Sequence, residues 1–228
     1  DAYAACPVCS PTRASLMTGK YPARVGVTHG CGASADERGR MFSAPYVDHL
    51  PLEEISIARA LGEGGYQTWH VGKWHLGGPK YSPEQHGFDV NIGGGHNGAP
   101  VGSYFSPWNF ANLQDAGQPD GTYLDEYLTR KAVNLIRNRD KTRPFFLNMS
   151  FYLVHVPLQA RQDLVDYYTA KAERLGLDKI PAILEGERFH PEEGARGMVA
   201  TSHFLASRVA HDVLADGGPG LFWRTCPS

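Results

Sequence analysis

Glycine and proline divide the chain into short units, and this punctuation is the feature that most constrains the fold. The 228 residues contain 26 glycines and 16 prolines. Between them, segments with the apolar spacing of amphipathic helices alternate with aromatic and β-branched runs that are typical of strands. Helices and strands that take turns along a chain favour a parallel sheet with helices on its faces. We therefore predict an α/β fold with a mostly parallel central sheet.

The first predicted helix places a cysteine at its start. Pro11 suits the first turn of a helix and Gly19 the position just past its end, so residues 11–18 are expected to be helical with Cys9 at the N-terminus. The other predicted elements are helices at 52–63 and 124–136 and strands at 66–71 and 144–151. The segment 87–122, rich in Gly, Asn, Ser and Pro, shows no helical period and is expected to be irregular.

Polar side chains follow both predicted strands. Lys73 and His75 come after the first strand and His155 after the second. In open parallel sheets ligands bind beyond the carboxyl ends of the strands. Lys73 and His75 are two positions apart, so in an extended segment they project to the same side, which suits convergence on one anion. Cys9 adds a thiol at a helix N-terminus, and Arg13 follows it by one turn, which predicts an anion-binding corner that contains a nucleophile.

Residues 9–19, Cys-Ser-Pro-Thr-Arg followed by Leu-Met-Thr-Gly, resemble the C-x-P-x-R and L-x-T-G motifs of type I sulfatases of the alkaline phosphatase superfamily. A second motif of that family, G-Y-x-T followed by G-K-W-H-L, is complete in residues 65–76. Residues 144–159 resemble its strand followed by H-x-P. Two motifs about sixty positions apart, in the family's order, are more specific than either alone. The resemblance covers roughly residues 1–175 and implies hydrolysis of a sulfate monoester.

The resemblance also implies a role for each site residue. A separate maturation enzyme would oxidise Cys9 to formylglycine, whose hydrated aldehyde attacks sulfur, and Arg13 would hold that residue. Lys73 would offer a cation to the sulfate oxygens, and His75 would assist at the diol. His155 would act as general acid on the leaving alcohol or bind the sulfate. These parts supply the nucleophile, the charge neutralisation and the proton that cleavage of an anionic ester needs.

A further substrate contact is expected at His96, because long irregular segments in compact domains are usually functional. Four other histidines are expected to be packing or surface residues: His29, His70, His86 and His190. The sequon at Asn148 lies in a predicted buried strand and is interpreted as a chance match.

The resemblance implies a bound calcium or magnesium ion with the modified Cys9 as one ligand. The other metal ligands of the family are not found in this sequence. The family's aspartate pair at the end of its first strand has no counterpart ahead of Cys9, and its later Asp with Asn or His is not recognisable. Hard cations need several oxygen ligands. A catalytically inactive sulfatase-derived chain therefore stays open, as does a phosphate ester hydrolase of the same superfamily, which would usually carry Ser or Thr at this position.

Cysteine spacing offers two other classes of function. Cys6 and Cys9 form a C-x-x-C ahead of a helix, as in thioredoxin-like redox sites, but redox chemistry gives no role to Arg13. A zinc site would need a second close pair of ligands, whereas Cys31 stands alone and Cys226 lies near the C-terminus.

Charge and hydropathy limit the partners. The 22 Lys and Arg against 24 Asp and Glu give a net charge of −2, which provides no basic surface for nucleic acid. No apolar stretch approaches the ~18 residues that a membrane span needs. The resemblance implies a small sulfated substrate, with a carbohydrate sulfate as the first choice, and a periplasmic or secreted location.

The resemblance ends before the chain does. Residues 1–192 are interpreted as a partial sulfatase catalytic domain, and residues 193–228 as a tail without a recognisable family pattern. We interpret the chain as an internal fragment, incomplete at both ends, whose exposed sheet edge predicts poor solubility in isolation.

Overall fold

Three parallel strands form the centre of the protein in the computed structural model, which describes residues 3–33, 44–110, 112–113 and 118–176. The strands are β1 (Gln67–Gly72), β2 (Val90–Ile92) and β3 (Phe145–Ser150), and their order in the sheet is β2-β1-β3. In the register of the central pair, Gln67 lies beside Phe145 and Gly72 beside Ser150. The predicted parallel sheet is confirmed, and both predicted strands match within one residue at each end.

Five helices surround this sheet within the described residues. They are α1 (Cys9–Thr18), α2 (Pro22–Val25), α3 (Ile57–Glu63), α4 (Leu124–Arg137) and α5 (Gln162–Arg174), with two 3₁₀ turns at Pro79–Tyr81 and Pro83–His86. None of the described helices has the length and apolar character required to cross a bilayer.

The alternation of side chains along the central strands places one core on each face of the sheet. Val71 packs on one face with residues of α4, among them Leu128. On the other face Phe146 of β3 packs with Ala14 of α1 and Ala58 of α3. Because helices cover both faces, the chain has the layered α/β architecture predicted from its sequence.

The helix predicted at 52–63 is shorter than expected, since α3 begins only at Ile57. The side chain of Ser56 accepts a hydrogen bond from the backbone N–H of Arg59, which is an N-cap and sets the start of the helix. Leu52 and Ile55 lie ahead of this cap and stay 38% and 64% exposed, so their apolar spacing did not reflect a buried helix face.

The segment 87–122 is not irregular throughout, because it contains β2, which pairs with β1. Three residues are too few for an alternating pattern to be recognised in a sequence. The predicted domain boundary at 192, the tail 193–228, His190 and Cys226 lie outside the described residues.

His70 and Asn148 face each other across the central strand pair. The Asn148 amide donates to Nδ1 of His70 over 2.9 Å, and Nε2 of His70 donates to the carbonyl of Gly72 over 3.0 Å. Burial lowers the pKa of His70 to about 3, so the ring is neutral. His70 is therefore a structural residue, and the Asn148 side chain is engaged inside the fold.

Gly72 ends β1 in a backbone conformation that other residues rarely adopt, with φ +101. A Cβ atom built on Gly72 would lie 1.8 Å from the carbonyl oxygen of Ser150. The neighbouring Lys73 N–H donates to that same oxygen over 2.7 Å. The close approach therefore fixes the point where the chain leaves the sheet towards Lys73.

We expect Gly72→Ala to disrupt the β1–β3 junction, because the added methyl group cannot coexist with the Ser150 carbonyl. The matched control is Gly65→Ala, a position with φ +87 and no atom within 4 Å of the added Cβ. That control should lose only the ~1–2 kcal/mol of left-handed strain. Urea unfolding of both variants measures the difference, and an equal loss of stability would show that the contact with Ser150 is unimportant.

Asp125 is a fully buried carboxyl group in the first turn of α4. Burial raises its pKa from the ordinary 3.8 to about 7, although nearby backbone N–H groups favour the ionised form. The pKa of Asp125 is higher in the folded state than in the unfolded state. The contribution of the protonated carboxyl group to the free energy of unfolding is therefore fully present at pH values below 3.8, the pKa of the unfolded state. It is lost as the pH rises towards about 7.

Asp125→Asn should therefore raise stability at about pH 8 by up to ~4 kcal/mol and have little effect at about pH 4. Thermal unfolding across this range measures the effect. Asp120→Asn, at an exposed aspartate, is the control and should leave stability unchanged at both low and high pH. A pH-independent difference between Asp125→Asn and the wild type would contradict the assignment.

Candidate functional site

The end of β1 and the start of α1 meet at a contact between a thiol and an imidazole. The Sγ atom of Cys9 lies 3.2 Å from Nδ1 of His75, and Nε2 of the same ring lies 2.9 Å from the carbonyl oxygen of Cys31. A carbonyl only accepts hydrogen bonds, so Nε2 carries a proton and Nδ1 faces the sulfur. The structure thus brings His75 into contact with Cys9.

Ser10 joins three segments of this site and was not found from the sequence. Its buried hydroxyl donates to the carbonyl of His75 over 2.8 Å and accepts from the N–H of Cys31 over 3.0 Å. These two bonds fix α1 against the loop after β1 and against the loop that contains Cys31. Ser10 is the variable residue of C-x-P-x-R, so the motif itself gave no signal for it.

Arg13 is held by the backbone of the loop after β1 rather than by an acidic side chain. Its Nη1 donates to the carbonyl oxygen of Lys73 over 2.6 Å. Its Nε atom is buried and has no hydrogen-bond partner among the described residues. Arg13 thus orients the residue that follows β1 and retains an unused donor.

Lys73 is 4% exposed and lies next to Cys9 and Arg13. Burial lowers its pKa and the charge of Arg13 lowers it further, while Cys9 partly opposes both, giving a pKa of about 8. Ion pairs of the described residues bring no carboxylate to Lys73 or Arg13. Two neighbouring cations without an acidic partner form a site for an anion.

The surroundings of Cys9 favour its thiolate. Burial raises the pKa of the thiol, but the hydrogen bond with His75, the positive charge of Lys73 and the backbone N–H of Ser10 lower it to about 6. For Cys31 the effect of burial dominates and raises the pKa of the thiol to about 11, which favours the protonated form. Only Cys9 of this pair has the environment of a reactive cysteine.

A glycine-rich segment covers the imidazole of His75. The residue itself has φ +55, in the left-handed region, and its N–H donates to the carbonyl of Gly95 over 2.9 Å. A Cβ atom on Gly98 would lie 2.4 Å from Cε1 of the ring. Such strain is characteristic of functional sites, and only glycine allows the segment to approach this closely.

His96 and His155 occupy different positions relative to this centre. His96 follows the glycine that accepts from His75, and its Nε2 would lie 2.9 Å from a Cβ on Gly32. His155 is exposed on the loop after β3, and its ring contacts the carbonyl of Val156 rather than Cys9, Lys73 or His75. The structure therefore brings Cys9, Arg13, Lys73 and His75 together, places His96 beside them, and leaves His155 without a contact to them.

The residues around Cys9 do not fit calcium or magnesium. They offer a thiol, an imidazole and two cations, whereas hard cations bind several oxygen ligands. Across the part of the chain that the structure describes, no group of three or more His, Cys, Asp or Glu could hold a metal ion. The sequence-based expectation of a metal at Cys9 is therefore not supported by its donor set.

The sequence profile of the family described as Sulfatase matches residues 1–201, which is most of the chain. The chain belongs to the sulfatase family. This membership agrees with the motifs around Cys9 and Lys73, and it confirms the family resemblance drawn from them.

Individual sulfatases show the extent of this similarity. The chain is 30% identical to rat (Rattus norvegicus) arylsulfatase G over 216 residues, which are 81% of the chain and 39% of that protein. It is 31% identical to human (Homo sapiens) N-acetylgalactosamine-6-sulfatase over 179 residues, 69% of the chain and 32% of that protein. It thus spans less than half the length of these relatives.

A solved structure shows the same fold. The crystal structure of yidJ from Bacteroides fragilis, a protein described as a putative sulfatase, superposes with a TM-score of 0.54 at 28% identity. The superposition covers 72% of the chain and 38% of yidJ. The α/β fold of the alkaline phosphatase kind, predicted from the sequence, is confirmed.

The thiolate character of Cys9 can be measured by alkylation of the protein before any modification. We expect the rate of reaction with iodoacetamide to reach half its maximum near pH 6, the pKa of Cys9. Replacing Lys73 with Met should move this midpoint upwards, because the thiolate loses its neighbouring charge. Mass spectrometry of the Cys9 and Cys31 peptides provides an internal control, and equal pH profiles for both thiols would contradict the assignment.

Proposed function

We propose that the protein hydrolyses a sulfate monoester at the site formed by Cys9, Arg13, Lys73 and His75. The observation that carries this proposal is the pair of neighbouring cations, Lys73 and Arg13, beside a cysteine at a helix N-terminus. Membership of the sulfatase family supports the same reaction.

Lys73 binds the sulfate group in this proposal. Its ammonium is buried and near Cys9, so it meets the anion in surroundings with little water to screen the charge. Arg13 holds the Lys73 carbonyl and adds a second positive charge. Because the two cations are in place before substrate arrives, little reorganisation is needed to stabilise negative charge on sulfate oxygens.

Cys9 is the position at which we propose the formylglycine modification. The hydrated aldehyde supplies the nucleophilic oxygen when it is present. The surroundings of Cys9 suit such a polar group, since the residue is half-buried, starts α1 and has Nδ1 of His75 at 3.2 Å from its Sγ atom. A formylglycine-generating enzyme is the maturation partner that this proposal requires.

His75 accepts and returns a proton at Nδ1 in this scheme. Its Nε2 proton is committed to the Cys31 carbonyl, so only Nδ1 is available towards position 9. The Ser10 hydroxyl and the Gly95 carbonyl hold the backbone of His75, which keeps the ring in this orientation. These are the requirements for a positioned general base.

His155 is the proposed proton donor to the leaving alcohol or an additional sulfate ligand. The Tyr104 hydroxyl donates to the carbonyls of Tyr152 and His155 over 2.7 and 3.0 Å, which anchors the loop after β3. The His155 ring itself is exposed. Its proposed role depends on approach of this loop to the substrate.

A carbohydrate sulfate is the proposed substrate class. Human N-acetylgalactosamine-6-sulfatase is named for a sulfated sugar and is 31% identical to this chain over the matched region. A periplasmic or secreted location is proposed from the family alone.

Two measurements on the full-length protein test the function. The first is the mass of the tryptic peptide that ends at Arg13, after co-expression with a formylglycine-generating enzyme, which should show Cys9 converted to the aldehyde. The second is turnover of a sulfated sugar, which should disappear in Cys9→Ala. It should fall at least ~10²-fold in Lys73→Ala, the size expected for loss of a group that stabilises transition-state charge.

Cys6→Ala is the matched control for these variants. Cys6 precedes α1 and is partly exposed, so its replacement should leave turnover unchanged if Cys9 alone provides the nucleophile. Loss of activity in Cys6→Ala alone would favour a dithiol redox site. If Cys9 stays unmodified and no turnover is seen, while the maturation enzyme converts a control substrate in the same cells, the protein has lost sulfatase chemistry. If the protein hydrolyses a phosphate ester but no sulfate ester, it is a phosphate ester hydrolase of the same superfamily.

A further inference from the structure

A shallow cavity of about 320 Å³ lies near the loop that contains Cys31 and Gly32, and Cys9, Arg13, Lys73 and His75 are not among its lining residues. Its lining residues are Asp48, His49, Gly78, Pro79, Tyr81 and His96. Small-molecule sites usually measure roughly 300–1,000 Å³, so this cavity is at the small end of the range. It suits one ring-sized group rather than an extended chain.

One wall of the cavity is joined to the catalytic centre through Gly32. The preceding residue, Cys31, accepts the hydrogen bond from His75, and the N–H of Gly32 donates to Oδ1 of Asp48 over 2.6 Å. His96 approaches the other side of Gly32, where a Cβ atom would lie only 2.9 Å from Nε2. Asp48 and His96 therefore both approach Gly32, the residue after the carbonyl that orients His75.

A second wall of the cavity is a stacked pair of rings. The centroids of His49 and Tyr81 are 3.7 Å apart, and the ring planes differ by 19°. Gly77 permits this stacking, because a Cβ atom there would lie 2.7 Å from Cβ of Tyr81 and 2.9 Å from Cβ of His49. Since Gly77 follows His75 by two residues, this wall is also fixed directly to the catalytic loop.

The two walls offer complementary chemistry. An aromatic face packs against the apolar C–H surface of a sugar ring, while a carboxylate accepts hydrogen bonds from hydroxyl groups. The imidazole of His96 offers one donor and one acceptor. Asp48 disfavours a second negative charge in the cavity, so an uncharged sugar fits better than a uronic acid.

We propose that this cavity binds the uncharged sugar ring that carries the sulfate, with the outer face of the stacked His49–Tyr81 pair against the ring and Asp48 and His96 on its hydroxyl groups. The inference rests on the proposed sulfatase function and adds the residues that select the leaving group. They are specificity-determining residues rather than members of the hydrolytic machinery.

Binding measurements on the full-length protein carrying Cys9→Ala, which removes both turnover and the thiolate beside Lys73, test this proposal. This protein stands as the wild type for the cavity, and the variants below are made in it. The probes are inorganic sulfate, N-acetylgalactosamine and N-acetylgalactosamine 6-sulfate, each titrated by calorimetry. Tyr81→Ala should weaken binding of both sugars about 3–10-fold, the range expected for loss of one aromatic contact, and leave inorganic sulfate unchanged. Tyr81→Phe should bind like the wild type because the ring remains.

Tyr167→Ala is the matched control, since Tyr167 is an exposed tyrosine on α5 outside the cavity. An equal effect of Tyr81→Ala and Tyr167→Ala on the sugars would overturn the proposal. So would a wild-type protein that binds N-acetylgalactosamine 6-sulfate no more tightly than inorganic sulfate.

Asp48→Asn tests the charge argument with a sulfated uronic acid as the probe. The wild type should bind this probe more weakly than N-acetylgalactosamine 6-sulfate, and Asp48→Asn should narrow the gap because a like charge is removed. An unchanged gap would overturn the assigned preference for an uncharged ring.

Inorganic sulfate separates this inference from the proposed function. If Lys73→Ala abolishes sulfate binding but Tyr81→Ala does not change sugar binding, the proposed anion site is supported and the sugar cavity is overturned. Sugar binding that depends on Tyr81, without any sulfate binding, would support the cavity and contradict the sulfatase function.

Discussion

The close approach of Gly72 to Ser150 is the constraint on which the rest of the site depends. It lets β1 leave the sheet while the next N–H still bonds to β3, so the Lys73 backbone is fixed before its side chain makes any contact. The Lys73 carbonyl then anchors Arg13, and two residues later His75 meets Cys9. This backbone contact thus sets the Lys73 carbonyl that Arg13 of α1 binds, alongside the Ser10 hydrogen bonds and the Ala14 packing that also hold α1.

Among the described residues, the negative charge that neighbours the buried cations of the site is the Cys9 thiolate rather than a carboxylate. Lys73 is buried, Arg13 has a buried Nε without a partner among the described residues, and no described carboxylate pairs with either. Burying charge without a counter-ion destabilises a fold, so an anion that binds here stabilises the folded state by mass action. In the proposed mature protein, where Cys9 is an uncharged aldehyde, the sulfate group of the substrate would supply this negative charge.

Local patterns in the sequence were enough to predict β1, β3 and the end of α1, because each depends on neighbouring residues. The family resemblance likewise implied that Cys9, Lys73 and His75 act on one sulfate group. The strand β2 is too short to show a period, and the start of α3 depends on a single cap at Ser56. The roles of Ser10 and Asp48 arise from contacts between distant loops, which no spacing along the chain reveals. The contribution of His155 also depends on loop placement, and it stays a prediction.

The lowered pKa of Cys9 means that the newly made protein provides its own counter-ion. At neutral pH the thiolate sits beside Lys73 and His75, in the place where the structure lacks an acidic side chain among its described residues. Conversion of the thiol to an uncharged aldehyde would remove this internal anion and leave the lysine charge unbalanced. Under the proposed function, maturation would both create the reactive group and vacate the position that the negative charge of the substrate would occupy.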